Sequence, residues 1–403
     1  MRLLVIARCP PYPLHLGDRL ILGNLLPILA RRGYAIDLIA FSDRTEDRAE
    51  ITHYRSDYAS VHLIPDPRRS AVDYLKRLVV PGTFFPQRAA QCWSPQMGRA
   101  VEERLASADV VHLFGGIQVY EYRDLIRSKP HLIVPYESYS LYLESALREV
   151  RSPREKMLTR LRLALTRRYE GRMFNGFQRV VVLTAQDRAA LARLSRRRQQ
   201  NWIVIPNGIA LERFPLSQSP LDHREPRLIF VGNYAYAPNE DAALFLGREV
   251  FPRVRKKHPD CQLRLVGNAP TPAMLNLAAA AGITVTGFVP DVNAELQLAR
   301  LLAAPIRFGA GMKNKLLEGM AAGLPIITTE AGIAGMEGSA GITIVDPDPA
   351  AFAAAVSRAL DDPAGLAFWG KANRAFTEER FTWARIADEY EALYHQICHE
   401  YSS

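Results

Sequence analysis

Two side chains in the last quarter of the chain, Lys313 and Lys315, have types and spacing suited to holding an anion, with Glu318 one helical turn on. All three lie in the run FGAGMKNKLLEGMAAGLPIITT, residues 308–329. Gly309 and Gly311 flank Ala310 in a loop whose backbone can approach a ligand closely. Helical spacing then places Leu316, Leu317, Met320 and Ala321 on one face, with Lys313 and Lys315 in the first turn. There the macrodipole and the unpaired N–H groups disfavour cations and favour anions, a conflict that a bound phosphate resolves. The alternative is a solvated pair, Lys315 with Glu318 at i,i+3, worth a few tenths of a kcal/mol.

The elements that must position these groups follow from the flanking residues. Gly323 and Pro325 stop the helix, and Ile326–Thr329 is a β-branched run suited to a buried parallel strand. Similar strand and helix signals alternate along the whole chain and imply two doubly wound α/β domains. Strands are expected at Leu3–Ala7, Ala35–Phe41, Val61–Ile64, Val110–Phe114, Leu132–Pro135, Arg179–Leu183 and Asn201–Pro206. The second series has Leu228–Val231, Gln262–Val266, Ile283–Gly287, Leu301–Pro305 and Ile342–Val345, with helices at Pro272–Ala281, Asp291–Arg300 and Pro349–Leu360. In the first series, Pro10–Gly17 is a loop, Leu20–Arg31 a helix, and a further helix lies around Leu158–Arg172. The expected division is 1–210, a proline-marked linker 211–227, 228–380, and a C-terminal helix 381–403 that crosses back to the first domain.

A chain of 403 residues with 48% hydrophobic and 23% charged residues is a soluble globular protein of more than one domain. No stretch approaches the roughly 20 apolar residues of a membrane span, and the apolar start is short and strand-like. Cys9, Cys92, Cys261 and Cys398 form no C-x-x-C pair, which implies neither zinc nor a disulfide framework and fits a reducing cytoplasm. The net charge of +9 is concentrated in residues 1–215, with 34 Lys+Arg against 21 Asp+Glu. Much of it lies between Arg148 and Arg198, including Arg151, Arg154, Lys156, Arg160, Arg162, Arg167, Arg168, Arg172 and Arg196–Arg198. Interspersed leucines make an anionic membrane surface one partner for this segment, and a solvated helix face is the other reading. Nucleic acid is not expected, because no zinc finger, RNA-binding aromatic signature or helix-turn-helix accompanies the charge.

Several strings in order resemble the family 4 glycosyltransferases: PPYPLHLGD (10–18), VIPNGIALERFP (204–215), FVGNYAYAPNEDA (230–242), LVGNAP (265–270) with VTGFVPDV (285–292), the run 308–329, and ERFTWARIADEYEALY (379–394). Within that family, APIRFGAGMKNKLLEGMA and GNYAYAPNEDA look closest to transferases associated with exopolysaccharide and exosortase systems. The resemblance implies a GT-B-type fold, two Rossmann-like domains facing a cleft. It also implies transfer of a sugar from a nucleotide diphosphate sugar to an acceptor hydroxyl, with retention and without a required metal or other cofactor. The donor belongs to the second domain and the acceptor, a sugar, lipid-linked or other hydroxyl, to the first. Cell-surface polysaccharide or glycolipid synthesis is the expected setting, in the cytoplasm or on the inner face of the membrane.

By the same resemblance, Glu318 accepts hydrogen bonds from the ribose. Ala310 stands where a first glutamate is usual, and Asn233 stands where many relatives carry an arginine. Arg307, Lys313 and Lys315 are then the cations nearest the diphosphate and the expected catalytic groups, helped by backbone N–H groups. The donor site implied comprises Gly17, Asn233, Phe288, Val289, Gly309, Gly311, Asn314, Leu316 and Glu318. Gly17 is equally readable as a turn glycine. Glu137 is the expected acceptor-orienting residue or weak base, and the neighbouring Ser138 reads equally well as a helix N-cap. Asp346-Pro347-Asp348 imitates a metal-binding D-x-D, but Asp348 as N-cap of the next helix is the better account. An epimerase or phosphorylase on the same fold, or a non-catalytic sugar-nucleotide-binding partner of a polysaccharide assembly, are the rival functions.

Overall fold

The computed structural model describes residues 1–14, 17–42, 45–66, 93–115, 119–150, 152–195 and 201–402. Two parallel sheets organise the chain. The first contains β1 (Arg2–Ala7), β2 (Ala35–Ser42), β3 (Ser60–Pro65), β4 (Val110–Phe114), β5 (His131–Val134), β6 (Arg179–Val182) and β7 (Trp202–Val204), in the order β3-β2-β1-β4-β5-β6-β7. The second contains β8 (Arg227–Val231), β9 (Gln262–Val266), β10 (Ile283–Gly287), β11 (Leu301–Ala304), β12 (Ile326–Thr328) and β13 (Ile342–Ile344), in the order β10-β9-β8-β11-β12-β13. Leu3, Val5, Leu38, Val111, Leu228 and Leu302 are fully buried. Such continuous apolar strands are covered by helices on both faces, as parallel pairing requires.

Each sheet reverses its order once, between β1 and β4 in the first and between β8 and β11 in the second. Loops leaving the carboxyl ends of the two strands at such a point diverge to opposite faces and leave a crevice. The loop after β11 is the segment that carries Arg307, Lys313 and Lys315.

The chain divides into two units, Met1–Gly208 with Trp383–Ser403, and Ile209–Thr382. The helix Trp383–Ser402 belongs to the first unit because its aromatic face is buried there. Tyr394 lies 2.8 Å from His112 Nδ1 on β4, Tyr390 stacks on the same imidazole, and Arg179 on β6 donates to both oxygens of Glu400 at 2.6 and 2.7 Å. The proline-marked stretch after Gly208 folds with the second unit. It forms 3-10 turns at Leu211–Arg213 and Leu221–His223, and buried Arg224 donates to Ala299 O at 2.7 Å.

Other expectations shift. Gly17 opens the helix Gly17–Arg31 rather than closing a loop. The helix expected at Pro272–Ala281 is one turn, Pro272–Leu275, followed by a 3-10 turn, Asn276–Ala279. Helices Pro95–Leu105 and Ala185–Leu194, capped by Ser94 and Thr184, add to the expected elements, and Tyr139–Glu149 starts at the N-cap expected of Ser138. Cys92, Arg151 and Arg196–Arg198 lie outside the described residues. No described helix is long and apolar enough to cross a membrane.

Candidate active site

The loop after β8 is set by two glycines and a tyrosine. Tyr234 is buried and donates from its hydroxyl to Phe230 O at 3.2 Å or Val266 O at 3.1 Å, which ties this loop to the end of β9. A Cβ on Gly267, whose φ is +142°, would lie 1.8 Å from Gly232 O, so the loops after β8 and β9 touch backbone to backbone. Asn233 is exposed, and its side-chain oxygen accepts from Ala235 N at 3.1 Å, folding it over its own turn. Its carbonyl accepts from Asn239 Nδ2 at 2.8 Å on the helix Ala237–Phe245.

The loop after β11 is pinned at its base by Thr328 Oγ1, which donates to Ala304 O at 2.7 Å, and by Thr329 Oγ1, which donates to Ile306 O. Gly309 and Gly311 have φ of +135° and +70°, conformations that exclude most side chains. Lys313 is the N-cap of the helix Asn314–Ala321, and Asn314 is its first residue. The Lys313 side chain turns back under the glycine loop, where it is 5% exposed and donates to Ala310 O at 2.6 Å and Gly311 O at 2.9 Å. It therefore braces the loop from inside. Leu316 is also turned inward: its side chain is fully buried and its amide donates to Lys313 O at 2.8 Å.

Two side chains bridge from the β11 loop and its helix to the helix after β8. Lys315 Nζ donates to Asn239 Oδ1 and lies 5.4 Å from the centre of the Phe230 ring. Arg307 forms a two-pronged ion pair with Asp241, Nε to Oδ2 at 2.8 Å, and stacks 5.1 Å from the Phe245 ring. The switch-point crevice is thus spanned by Asn239 and Asp241, two residues of the run 230–242 to which sequence reasoning assigned no role in the site. Their i,i+2 spacing in APNEDA was the available clue.

Burial pushes the Lys315 ammonium down to about 7, with Lys313 adding to the effect and Glu318 opposing it. Burial pushes the Glu318 carboxyl up to about 7, against the pull of Arg213 and Lys315. Glu318 makes no hydrogen bond or close ion pair with Lys315, whose partner is Asn239, and its carboxylate has no such partner among the described residues.

The remaining candidates are dispersed. Phe288 is 66% exposed and Val289 half-buried in the loop after β10, the edge strand. In the first unit, Gly17 stands at the start of its helix, and Glu137 follows Tyr136, a non-glycine residue at φ +65°. Glu137 N donates to Pro135 O at 2.8 Å. Ser138 is the N-cap of Tyr139–Glu149, accepting from Leu141 N at 3.2 Å. That helix start holds a buried carboxylate, Glu170, which accepts from Tyr139 N at 2.7 Å and Ser140 N at 3.2 Å and is pushed by burial up to about 7. Asp348 Oδ1 caps Pro349–Leu360 through Ala350 N at 3.0 Å and Ala351 N at 2.8 Å.

Comparison with known proteins brings both units under one heading. Residues 22–213 match the model of Glycosyltransferase Family 4, and residues 225–362 match that of Glycosyl transferases group 1. A glycogen synthase of Mycobacterium tuberculosis is 28% identical over 200 residues, 47% of this chain and 47% of that protein, so the aligned region spans about half the length of this relative. Among solved structures, sucrose-phosphate synthase from Thermosynechococcus elongatus superposes with a TM-score of 0.72 at 18% identity, covering 98% of this chain and 99% of its own. HepE of Anabaena in complex with UDP gives 0.69 at 14%, covering 98% and 100%, and WaaG, a glycosyltransferase involved in lipopolysaccharide biosynthesis, gives 0.63 at 14%, covering 96% and 98%. With a glycosyltransferase model on each unit and two parallel-sheet α/β units matching solved GT-B structures, the chain belongs to the GT-B-fold glycosyltransferases of family 4 and group 1.

Proposed function

We propose that this protein is a retaining, metal-independent transferase that moves a sugar from a nucleotide diphosphate sugar to an acceptor hydroxyl in cell-surface polysaccharide or glycolipid synthesis, working beside an anionic membrane surface. The observation that carries the donor assignment is Glu318, a carboxylate pushed up to about 7 with no hydrogen-bond partner among the described residues, one turn after Lys315 at the switch point of the second sheet. Ribose hydroxyls supply the donors that this carboxylate lacks. Lys315, with Lys313 behind it and the amides of the helix start beside it, faces the diphosphate. The structures of HepE with UDP and with UDP-glucose support a nucleotide diphosphate sugar as the donor class.

In the proposed step, the bond from the anomeric carbon to the leaving phosphate oxygen breaks while the acceptor oxygen bonds to the same carbon on the same face. The acceptor proton passes to the leaving phosphate, and Glu137 orients the acceptor hydroxyl. The chief contribution of the protein is then electrostatic stabilisation of the charge developing on the diphosphate. Arg307 joins this field from its fork with Asp241. Asp348 already caps a helix, which supports reading the D-x-D string as structural rather than metal-binding.

A thermal-shift screen of nucleoside diphosphates and nucleotide sugars tests the donor assignment, since a ligand bound only by the native state raises its stability by mass action. UDP and UDP-glucose are expected to raise Tm in the presence of EDTA. A screen in which no nucleotide shifts the transition would refute the reading. Product anomeric configuration, read by NMR once an acceptor is in hand, tests retention.

A further inference from the structure

The helices Tyr139–Glu149 and Pro153–Met173 form a hairpin whose outer surface is exposed among the described residues. On the longer helix the core side is Leu163, Thr166, Tyr169, Glu170 and Met173. The opposite side carries Met157, Leu158 and Leu161, which are 66%, 50% and 57% exposed. Three large apolar side chains at i, i+1 and i+4 occupy one strip of a helix surface, and Arg154, Arg162 and Arg168, all exposed, border it. Next to this strip, between the two helices, is an open cavity of about 600 Å³, lined by Leu147, Arg148, Lys156, Arg160, Leu163 and Arg167 among others.

Of the four cations lining the cavity, one has an ion-pair partner among the described residues. Arg167 is paired with Glu144 at 2.8 Å. Arg148, Lys156 and Arg160 have no hydrogen-bond or ion-pair partner for their side chains among the described residues. Three uncompensated cations around a concave, partly apolar floor, beside an exposed Met/Leu strip, suit a surface that offers phosphodiester anions and hydrocarbon at the same depth.

We propose that this hairpin is a docking surface for anionic phospholipid, with phosphate headgroups drawn to Arg148, Lys156 and Arg160 and Met157, Leu158 and Leu161 inserted at the acyl boundary. Charge complementarity selects this occupant: the apolar strip takes no part in nucleic-acid backbone binding, whereas basic residues on the polar flank of an inserted apolar face are the signature of interfacial helices. The inference rests on the membrane setting of the proposed function and specifies its surface, but it does not depend on donor binding.

Co-sedimentation of the full-length protein with vesicles of phosphatidylcholine alone, and of phosphatidylcholine with phosphatidylglycerol, tests it. Binding is expected only to the phosphatidylglycerol vesicles and should weaken as salt rises, with a Debye length of about 8 Å at physiological ionic strength. Each basic residue near an anionic surface is worth about fivefold in binding, so Lys156→Gln with Arg160→Gln should weaken it by roughly 30-fold. Met157→Ser with Leu161→Ser should weaken it several-fold and leave the charge dependence in place. Equal binding to both vesicle types, no binding to either, or wild-type binding by the neutralised double variant overturns the proposal. The UDP thermal shift, measured on the same proteins, separates the two readings. A retained shift with absent vesicle binding removes the docking surface alone, and retained vesicle binding with no nucleotide shift removes the donor reading alone.

Discussion

Burial without a hydrogen-bond partner among the described residues penalises the ionised form of Glu318, against the pull of Arg213 and Lys315. Its folded pKa of about 7 lies above the ordinary carboxylate value, so its favourable contribution is complete below pH 4.5 and is lost as pH rises through 7. Glu318→Gln should therefore raise Tm at pH 8 by about 2–4 °C, corresponding to about 1 kcal/mol, while it removes the UDP-induced shift. A lower Tm for the variant at pH 8 would show that the ionised carboxylate is supported in the folded protein. Lys315 has the opposite sign. Its ammonium is charged below about pH 7 and neutral above, so diphosphate affinity should fall as pH rises past 7, and Lys315→Met should flatten that alkaline limb in calorimetric titrations. Lys315→Ala should cost roughly 2–4 kcal/mol of transition-state stabilisation, measured as kcat/KM. Lys313→Ala should also lower Tm, since it removes the brace beneath Ala310 and Gly311. Full turnover by Lys313→Ala, Lys315→Ala and the double variant counts against the catalytic assignment. At this scale the sequence was most legible in residue type, setting two lysines at a helix start where Lys313 is the N-cap and Lys315 the second helical residue. It did not reveal that one of them points inward, because the direction of a side chain depends on the loop beneath it.

The elements that shape the site are two strand-to-helix crossings brought together at a topological switch point. Their loops were recognisable from glycine spacing, yet their contact is a property of strand order. Gly267 shows how tight the arrangement is. Replacing it with alanine puts a Cβ 1.8 Å from Gly232 O at a φ of +142°, so the loops after β8 and β9 must separate. Gly267→Ala should destabilise the second unit by about 3 kcal/mol or more in urea unfolding, and should weaken UDP binding by displacing Asn233 and Asn239. A variant as stable as the parent would mean that the two loops have slack that the structure does not show. Strand positions were legible to within a residue or two because continuous apolar runs mark buried parallel strands. The shorter helices escaped because their periodicity is diluted: Ala185–Leu194 is capped by Thr184 but carries only a narrow buried face of Asp187, Ala190 and Leu191.

At the scale of the molecule, the last helix completes the first unit, although it follows the second in sequence. Among the described residues, Tyr394 is the one hydrogen-bond partner of the buried His112 imidazole, whose Nε2 has none. Burial pushes that imidazole down to about 3, so it is neutral in the fold and depends on the phenol for its Nδ1 partner. Tyr394→Phe should cost about 1–3 kcal/mol and lower hydrogen-exchange protection on β4 and its neighbours, leaving the second unit protected. Equal loss of protection in both units would contradict the division of the chain. The sequence by itself determined the strand and helix alternation, the glycine loop ahead of the helix Asn314–Ala321 and the family resemblance, since these rest on local periodicity, glycine punctuation and ordered motifs. Tertiary structure alone decided that Asn239 and Asp241 receive Lys315 and Arg307, that Lys313 braces the glycine loop, and that Glu318 has no hydrogen-bond partner among the described residues. Those outcomes depend on strand order and burial, which bring residues more than sixty positions apart into contact and set the local dielectric, quantities that no window of sequence contains.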